Sequence, residues 1–388
     1  MMEVVRLLER DYEEATDFLD LVFSKAYAPS DFRKLLPLYY QPNDEKMRCN
    51  FAIREAGRIR AIVGSFPSNV QVGDTVLRLG GIGGVSAHPN DRGKGWMKIL
   101  MTRCLEEMKS EHMDLSFLTG LRQRYQYFGY EKAGMLLQYQ ISQTNIKRSG
   151  MAMDTESSLC FIPLRKNDST YIEKAKALYD RQEIRMIRPL ADFYLTLLST
   201  HGHPWVALRP NGEMIGYLVT DEKRASITEI FAEQETDFGE MIRSWFLQQN
   251  IDEAAVFLPP WQVQEARCLS VFAEDYRMIN NGNWRIFQWE NVISSLLTAK
   301  GVLSCLQEGS LNIDIVGYGT LRINVTDGHA VCARTSEHPD LLWDPLRATQ
   351  IMLGHLPHMF ITEIPTHLQP LIESWFPLPL SWLLQNYV

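Results

Sequence analysis

Residues 80–98 read GGIGGVSAHPNDRGKGWMK, and this stretch predicts a strand end, a basic glycine-containing loop and a helix start. Apolar residues at helical spacing continue that helix to about residue 111. Backbone N–H groups at a helix N-terminus lack partners and attract phosphate, and glycine lets the backbone approach an anion closely. The loop therefore indicates an anion site, and a surface loop with a capping glycine is the alternative. It matches neither a Walker A loop nor a dinucleotide fingerprint.

The elements around this loop predict a mixed α/β domain. Strands joined by Gly-containing turns form an antiparallel meander before the loop, and helix and strand patterns alternate after it. The predicted elements are a helix over 12–27, strands over 51–54, 58–72 and 75–87, the helix after the loop, a strand over 114–119, a helix over 122–128 and a last strand over 132–142.

The middle of the chain repeats part of this order. A hairpin over 205–219 parallels the hairpin over 51–66, and a strand over 226–233 and a helix over 238–249 follow it. The acidic stretch 233–237 stands where the first copy has its basic loop, so we expect no anion site in the second copy.

The last part of the chain predicts a small α+β unit. Its predicted elements are a helix over 303–308, three strands across 309–334 and a helix over 345–355. The resulting domain prediction is 1–145, 146–290 and 291–388.

The composition predicts a globular cytoplasmic protein that binds neither nucleic acid nor membrane. The 388 residues include 39 basic and 47 acidic side chains, for a net charge of −8, divided as +3 over residues 1–150 and −11 over the remainder. Six cysteines without a C-x-x-C pair favour a reducing compartment and no metal site. The uncharged tail over 374–388, SWFPLPLSWLLQNYV, is too short to span a bilayer, and we expect it to dock into its own protein.

Two motifs give the chain a resemblance to a known family. Arg92-Gly-Lys-Gly95-Trp-Met97 resembles the GNAT acetyltransferase pattern [Gln/Arg]-x-x-Gly-x-[Gly/Ala], with Met97 in place of the last small residue. Phe128-Gly129-Tyr130, the three-part organisation and the chain length resemble the Eis-like (enhanced intracellular survival) N-acetyltransferases. The resemblance implies an active N-terminal GNAT domain, a degenerate second GNAT domain and a C-terminal domain like a sterol carrier protein.

The resemblance also implies roles for individual residues. A backbone N–H near Val85 would polarise the thioester carbonyl of acetyl-CoA, Tyr130 would protonate the departing thiolate, and the terminal carboxylate of Val388 would accept the proton of the amine. The implied acetyl-CoA-binding residues are Val85, Ser86, Ala87, Arg92, Gly93, Lys94, Gly95, Trp96, Met97, Lys98, Tyr125 and Gln126.

Physical chemistry is compatible with a base at the end of an apolar tail. An exposed α-carboxylate has a pKa of about 3.5 and is a poor base. Burial among the aromatic and aliphatic side chains of 374–388 would raise that pKa by desolvation. A strap over an apolar surface, and a core role for Tyr130, are the structural alternatives.

The function predicted from these observations is acetyl-CoA-dependent N-acetylation by direct attack of an amine on the thioester. The resemblance implies polyamine-like substrates, notably aminoglycosides acetylated at several amines, and a homohexamer. Asp17, Asp20 and Asp31 could line a mouth for such cations, and a solvated helix face is the favoured alternative for each of them. One alternative is an enzyme that acetylates protein or peptide lysines. Another is a protein that binds apolar ligands through the sterol-carrier-like domain.

Overall fold

The computed structural model describes residues 2–26, 29–149 and 159–388. The elements of the first part, in chain order, are β1 (Met2–Arg6), α1 (Tyr12–Ala26), α2 (Phe32–Leu35), α3 (Asp44–Met47), β2 (Asn50–Glu55), β3 (Arg58–Val72), β4 (Thr75–Ala87), α4 (Trp96–Ser110), β5 (Leu115–Leu118), α5 (Arg122–Gln126), β6 (Glu131–Lys132), β7 (Met135–Ser142) and α6 (Gln143–Arg148). The predicted helix over 12–27 is thus confirmed up to Ala26, and residue 27 lies outside the described residues.

The second part contains β8 (Cys160–Pro163), α7 (Ser169–Tyr179), β9 (Ile184–Met186), α8 (Leu190–Leu198), β10 (His203–Leu208), β11 (Met214–Thr220), β12 (Ser226–Ala232), α9 (Glu235–Gln249), β13 (Glu253–Leu258), α10 (Val263–Ser270), β14 (Ala273–Asn280) and β15 (Asn283–Ile286). The last part contains α11 (Trp289–Leu303), β16 (Gly309–Ile315), β17 (Gly319–Thr326), β18 (His329–Arg334), β19 (Leu341–Trp343), α12 (Pro345–Leu353) and α13 (Gln369–Trp375).

The first sheet is built on the long hairpin of β3 and β4. Its strand order is β1-β2-β3-β4-β5-β15-β6, with β9 paired to the far end of β3. Successive side chains of a strand point to opposite faces, so the hairpin and its neighbours bury both faces. Ile53 and Val63 pack on one face in the same cluster as Leu100 of α4, and Ala52 packs on the other with Leu19 of α1.

The second sheet repeats the plan of the first. Its order is β14-β7-β13-β12-β11-β10-β8. In each sheet a parallel strand pair flanks a long helix, β4 and β5 around α4 in the first and β12 and β13 around α9 in the second. The mixed α/β fold class and the tandem arrangement of two such domains are confirmed.

The two sheets exchange strands. The strand predicted over 132–142 is the last of the first predicted domain, but β7 pairs with β13 and β14 of the second sheet. In return β15, late in the chain, pairs with β5 and β6 of the first. Local sequence patterns identify a strand but not its partner, so the exchange was missed. The domain division at 145 and 290 stays a prediction, and the sheets are shared across its first boundary.

The last part is a four-stranded sheet with helices on it. The strand order is β18-β17-β16-β19, and α11 and α12 bury apolar side chains against the sheet. The predicted helix over 303–308 is wrong, because α11 ends at Leu303 and residues 305–308 are irregular. The sterol-carrier-like identity of this unit stays a prediction.

Candidate active site

The site begins where β4 and β5 separate. The parallel pair runs from Leu79 opposite Leu115 to Ile82 opposite Leu118, where β5 ends while β4 continues to Ala87. A register shift against β3 falls in the same segment of β4. Gly84 has a φ of +59° there, a left-handed conformation that favours glycine. Beyond Ile82, β4 therefore has no β5 partner, and this side of its backbone can bind an extended ligand.

The predicted anion loop lies directly after this strand. Gly93 and Gly95 have φ values of +87° and +78°, and a methyl group added at either would meet no atom within 4 Å. Gly95 caps α4, so the first N–H groups of this 15-residue helix point into the loop without intrahelical partners. The left-handed glycines and the helix start thus form a concave backbone surface of the kind that binds phosphate.

The strand, the loop and the chain end line one cavity of about 1080 Å³. The cavity brings together ten of the twelve predicted cofactor-binding residues and the predicted base. The members that line the cavity are Val85, Ser86, Ala87, Arg92, Gly93, Gly95, Trp96, Met97, Lys98, Tyr125 and Val388.

Two predicted cofactor residues have their side chains engaged elsewhere. The ammonium of Lys94 is 2.7 Å from Asp91, whose carboxylate also pairs with Arg60. These partners raise the pKa of Lys94 and lower that of Asp91. The amide of Gln126 donates to Glu131 at 2.7 Å. Neither residue is among those that line the cavity, so their predicted contacts with a cofactor stay untested.

The two tyrosines of the Phe-Gly-Tyr region occupy different environments. Tyr125 lines the cavity and is 4 % exposed. Tyr130 is fully buried, and its hydroxyl lies 2.7 Å from that of Ser116, which donates to the carbonyl of Gly80. Burial raises the pKa of Tyr130 well above its usual value. The two rings are 6.5 Å apart at an angle of 73°. The cavity is thus open to Tyr125, and Tyr130 has the core environment that was its alternative.

The chain ends on the β4 strand. A methyl group added at Gly83 would be 2.5 Å from the carboxyl carbon of Val388 and 2.6 Å from one of its oxygens. A methyl group at Gly81 would be 2.8 Å from a methyl of the same valine. The carboxyl group of Val388 therefore lies over the point where β4 and β5 separate, and glycine is needed there to make room for it.

Residues far away in the sequence hold this tail in place. Asn386 accepts a hydrogen bond from the guanidinium of Arg188 at 2.9 Å, and Arg188 makes two more bonds to Glu229, at 2.9 and 2.8 Å. Arg188 and Glu229 have fully buried side chains. Gln385 donates to Thr228 at 2.8 Å. The predicted docking of the tail is therefore observed, and the second sheet supplies its anchor.

The predicted acidic mouth is absent from the cavity lining. Asp17 pairs with Arg33 at 3.3 Å, Asp20 accepts from the first backbone N–H of α2 at 2.8 Å, and Asp31 caps that helix. None of these three aspartates lines the cavity. They stabilise the local fold of α1 and α2.

A family model described as "Acetyltransferase (GNAT) domain" matches residues 3–133. These residues form a GNAT acetyltransferase domain. The match covers β1 to β6, the splayed strand and the anion loop. GNAT enzymes transfer an acyl group from acetyl-CoA or another acyl-CoA, so the matched residues are an acyltransferase domain. Searching the curated proteins finds no match to the sequence.

Solved structures share the fold over the entire chain. A probable N-acyltransferase from Enterococcus faecalis and a GCN5-related N-acetyltransferase from Anabaena variabilis each superpose with a TM-score of 0.71 at 14 % identity. Eis1 from Mycobacterium abscessus superposes with a TM-score of 0.65 at 14 % identity. In all three cases the alignment covers 100 % of both chains. The expected resemblance to Eis-like proteins is confirmed at the level of fold.

Two further observations concern metals and membranes. Among the described residues of the chain, no three His, Cys, Asp or Glu side chains are grouped so as to hold a metal ion. None of the helices in the described ranges combines the length and the apolar character that crossing a bilayer requires.

Proposed function

We propose that this protein is an acetyl-CoA-dependent N-acetyltransferase whose base is its own terminal carboxylate. One observation carries the proposal: the carboxyl group of Val388 lies over Gly83 in the cavity that the anion loop and the free side of β4 line. A carboxylate at this position is next to the backbone that would bind the thioester end of the cosubstrate. An incoming amine would meet both groups together.

The residues of the cavity fit acetyl-CoA. The N-terminus of α4, Arg92 and Lys98 supply the N–H groups and positive charge for the phosphates. The unpaired side of β4 from Gly83 to Ala87 offers the extended backbone partner that the amide-containing pantetheine arm needs. Bound acetyl-CoA would supply an activated acyl group.

The residues around that group have separate tasks. Val388 accepts the proton that the amine loses as its nitrogen forms the new C–N bond. The backbone N–H near Val85 donates to the oxygen of the carbonyl, where negative charge develops. The C–S bond breaks, and a tyrosine hydroxyl donates its proton to the sulfur. We assign that proton to Tyr125, because its side chain lines the cavity, and keep Tyr130 as the candidate to be tested against it.

The acceptors implied by the family resemblance are polycationic, with aminoglycosides foremost. A homohexamer and a cytoplasmic location belong to the same group of expectations. Support for a polycationic acceptor is restricted to the anionic chain end. Among the described residues that line the cavity, Asp91 is the only acidic side chain, and it is paired with Lys94.

Thiol release from acetyl-CoA, measured with a panel of amines, tests the proposal. The variants are Tyr125→Phe, Tyr130→Phe and a protein with two residues added after Val388. We expect the extension and Tyr125→Phe each to lower kcat by about 100-fold or more, as loss of a general base or acid does. Tyr130→Phe is the matched control: we expect a kcat within about threefold and a loss of about 1 kcal/mol of stability from its hydrogen bond.

Each assignment can fail separately. A Tyr130→Phe protein that loses activity while Tyr125→Phe retains it would reverse the two tyrosines. An extended chain that turns over as fast as the native one would remove Val388 as the base. Retention of acetyl-CoA binding in every variant, measured by calorimetry, separates a lost proton transfer from a lost cosubstrate site.

A further inference from the structure

The cavity has two chemically different walls. The wall formed by the loop and α4 carries the side-chain cations Arg92 and Lys98, which suit a phosphate-bearing ligand. A second wall comes from α1, α2 and the residues next to α2. Among the described residues of this wall Ser30 is polar, and the other lining side chains are apolar: Val22, Phe23, Ala26, Phe32, Leu35 and Leu36. Val388 packs on the cluster that contains Val22, Phe32 and Leu36, so this wall adjoins the chain end.

The acids near this wall are already engaged with other groups. Asp17, Asp20 and Asp31 bind Arg33 or backbone N–H groups of α2, as described above. Glu14, also on α1, is 2.8 Å from Arg54. Within the described residues the apolar wall therefore presents no carboxylate that a second or third ammonium group could meet.

A polycation would be poorly accommodated by such a wall. Once its first amine meets Val388, its remaining ammonium groups would lose water against hydrocarbon without gaining an anionic partner. An apolar substituent on the same amine would gain from burial there, in proportion to the area removed from water. The apolar wall thus favours amines whose nitrogen is carried on an apolar group over amines that carry further charges.

We propose that the acceptor is a primary amine carried on an apolar alkyl or arylalkyl group, with that group against α1 and α2 and its nitrogen at Val388. The proposal rests on the proposed function, and it replaces the polycationic acceptor with a different chemical class. Phe23 is the residue on which it can be tested, because its partly buried side chain lines the cavity and tolerates a polar replacement better than the buried Val22 does.

The test compares two sets of amines with acetyl-CoA as donor. One is the series benzylamine, 2-phenylethylamine and 3-phenylpropylamine; the other is spermidine and kanamycin. We expect kcat/KM to rise by about fourfold per added methylene within the first series. We also expect the best member to exceed both polycations by at least about tenfold, since one ammonium left without a partner costs this much or more.

Phe23→Asp should lower kcat/KM for 3-phenylpropylamine by about tenfold and raise it for spermidine, because an anion replaces apolar surface. Leu21→Asp is the matched control: it adds the same charge to α1, at a residue that is 44 % exposed and outside the cavity lining. We expect Leu21→Asp to leave both rates unchanged.

Other outcomes separate the two proposals. Higher kcat/KM for spermidine or kanamycin than for every arylalkylamine overturns the inference and leaves the proposed function standing. Absence of turnover with every amine overturns the proposed function. In that case calorimetric binding of 3-phenylpropylamine and spermidine to the CoA-saturated protein decides the inference by which amine binds more tightly. The rate could also rise with the length of the acyl group, from acetyl-CoA to octanoyl-CoA, and not with the length of the amine. That result would assign the apolar wall to the acyl chain and overturn the inference.

Discussion

Replacement of Asn386 by alanine tests whether the anchored tail is what places the terminal carboxylate. Asn386 is buried, and its side-chain oxygen accepts from the Nε–H of Arg188 at 2.9 Å, two residues before the chain end. Arg188 keeps both hydrogen bonds to Glu229 when this oxygen is removed. The substitution therefore loosens the tail and removes the acceptor of the Arg188 Nε–H, while the ion pair of the guanidinium with Glu229 is kept.

The size of the effect follows from the chemistry of the bond. A hydrogen bond to a charged group contributes about 1.5–3 kcal/mol. At 1.4 kcal/mol per factor of ten, this weakens docking of the tail by about 10- to 150-fold. The hydrogen bond between Gln385 and Thr228 remains, so the tail stays close to β12. We expect kcat to fall by about 10- to 100-fold, with the KM for acetyl-CoA unchanged, because the anion loop is untouched.

The assay is thiol release from acetyl-CoA with the best amine of the panel, together with the free energy of unfolding in urea. Tyr217→Phe is the control: it removes the 2.6 Å hydrogen bond from Tyr217 to Glu229, in the same buried network, without touching the tail. We expect similar losses of stability in the two variants and a large loss of kcat in Asn386→Ala alone. Equal kcat losses in both would refute the view that this network acts through the tail.

Three further predictions concern other parts of the chain. Gly83→Ala places a methyl group 2.5 Å from the carboxyl carbon of Val388, and we expect kcat to fall at least about tenfold as the tail is displaced; an unchanged kcat would contradict the observed contact. Replacing Arg92 and Lys98 together by alanine should raise the KM for acetyl-CoA about tenfold with little change in kcat, and a KM that stays constant with added salt would argue against phosphate binding there. Burial lowers the pKa of Lys300 to about 8, so between pH 8 and 10.5 the unfolded chain binds more protons than the native one. This residue therefore makes the free energy of unfolding rise with pH across that range. Lys300→Met should raise Tm at pH 7 and remove the rise of stability with pH.

Local patterns predicted the elements of the catalytic half well. The hairpin of β3 and β4 has the predicted bounds because a Gly-Asp turn separates two long runs of strand-forming residues. The anion loop was predicted from its glycines and the apolar spacing of the helix that follows. Both patterns lie within consecutive residues, so they can be recognised from the sequence without knowledge of the tertiary fold.

The features that the sequence did not reveal depend on long-range partners. Arg188 and Glu229 are 41 residues apart, and nothing near either one marks it as buried. Asp17 and Asp20 carry the charge expected of a cation-binding mouth, but their carboxylates are directed to Arg33 and α2 instead. The Phe-Gly-Tyr motif gives the acid role to Tyr130 and a cofactor contact to Tyr125, whereas the cavity is lined by Tyr125 and not by Tyr130.

The exchange of β7 and β15 between the sheets has a consequence for synthesis of the chain. Among the described strands, β5 has its second neighbour and β6 its one neighbour in β15, which ends at Ile286. Until the ribosome has made residue 286, the GNAT sheet carries an unpaired edge, and at usual elongation rates that interval is on the order of ten seconds or more. Unpaired edges invite pairing with other chains. A nascent or truncated chain that stops near residue 145 would therefore carry the whole anion loop and still lack a closed catalytic sheet.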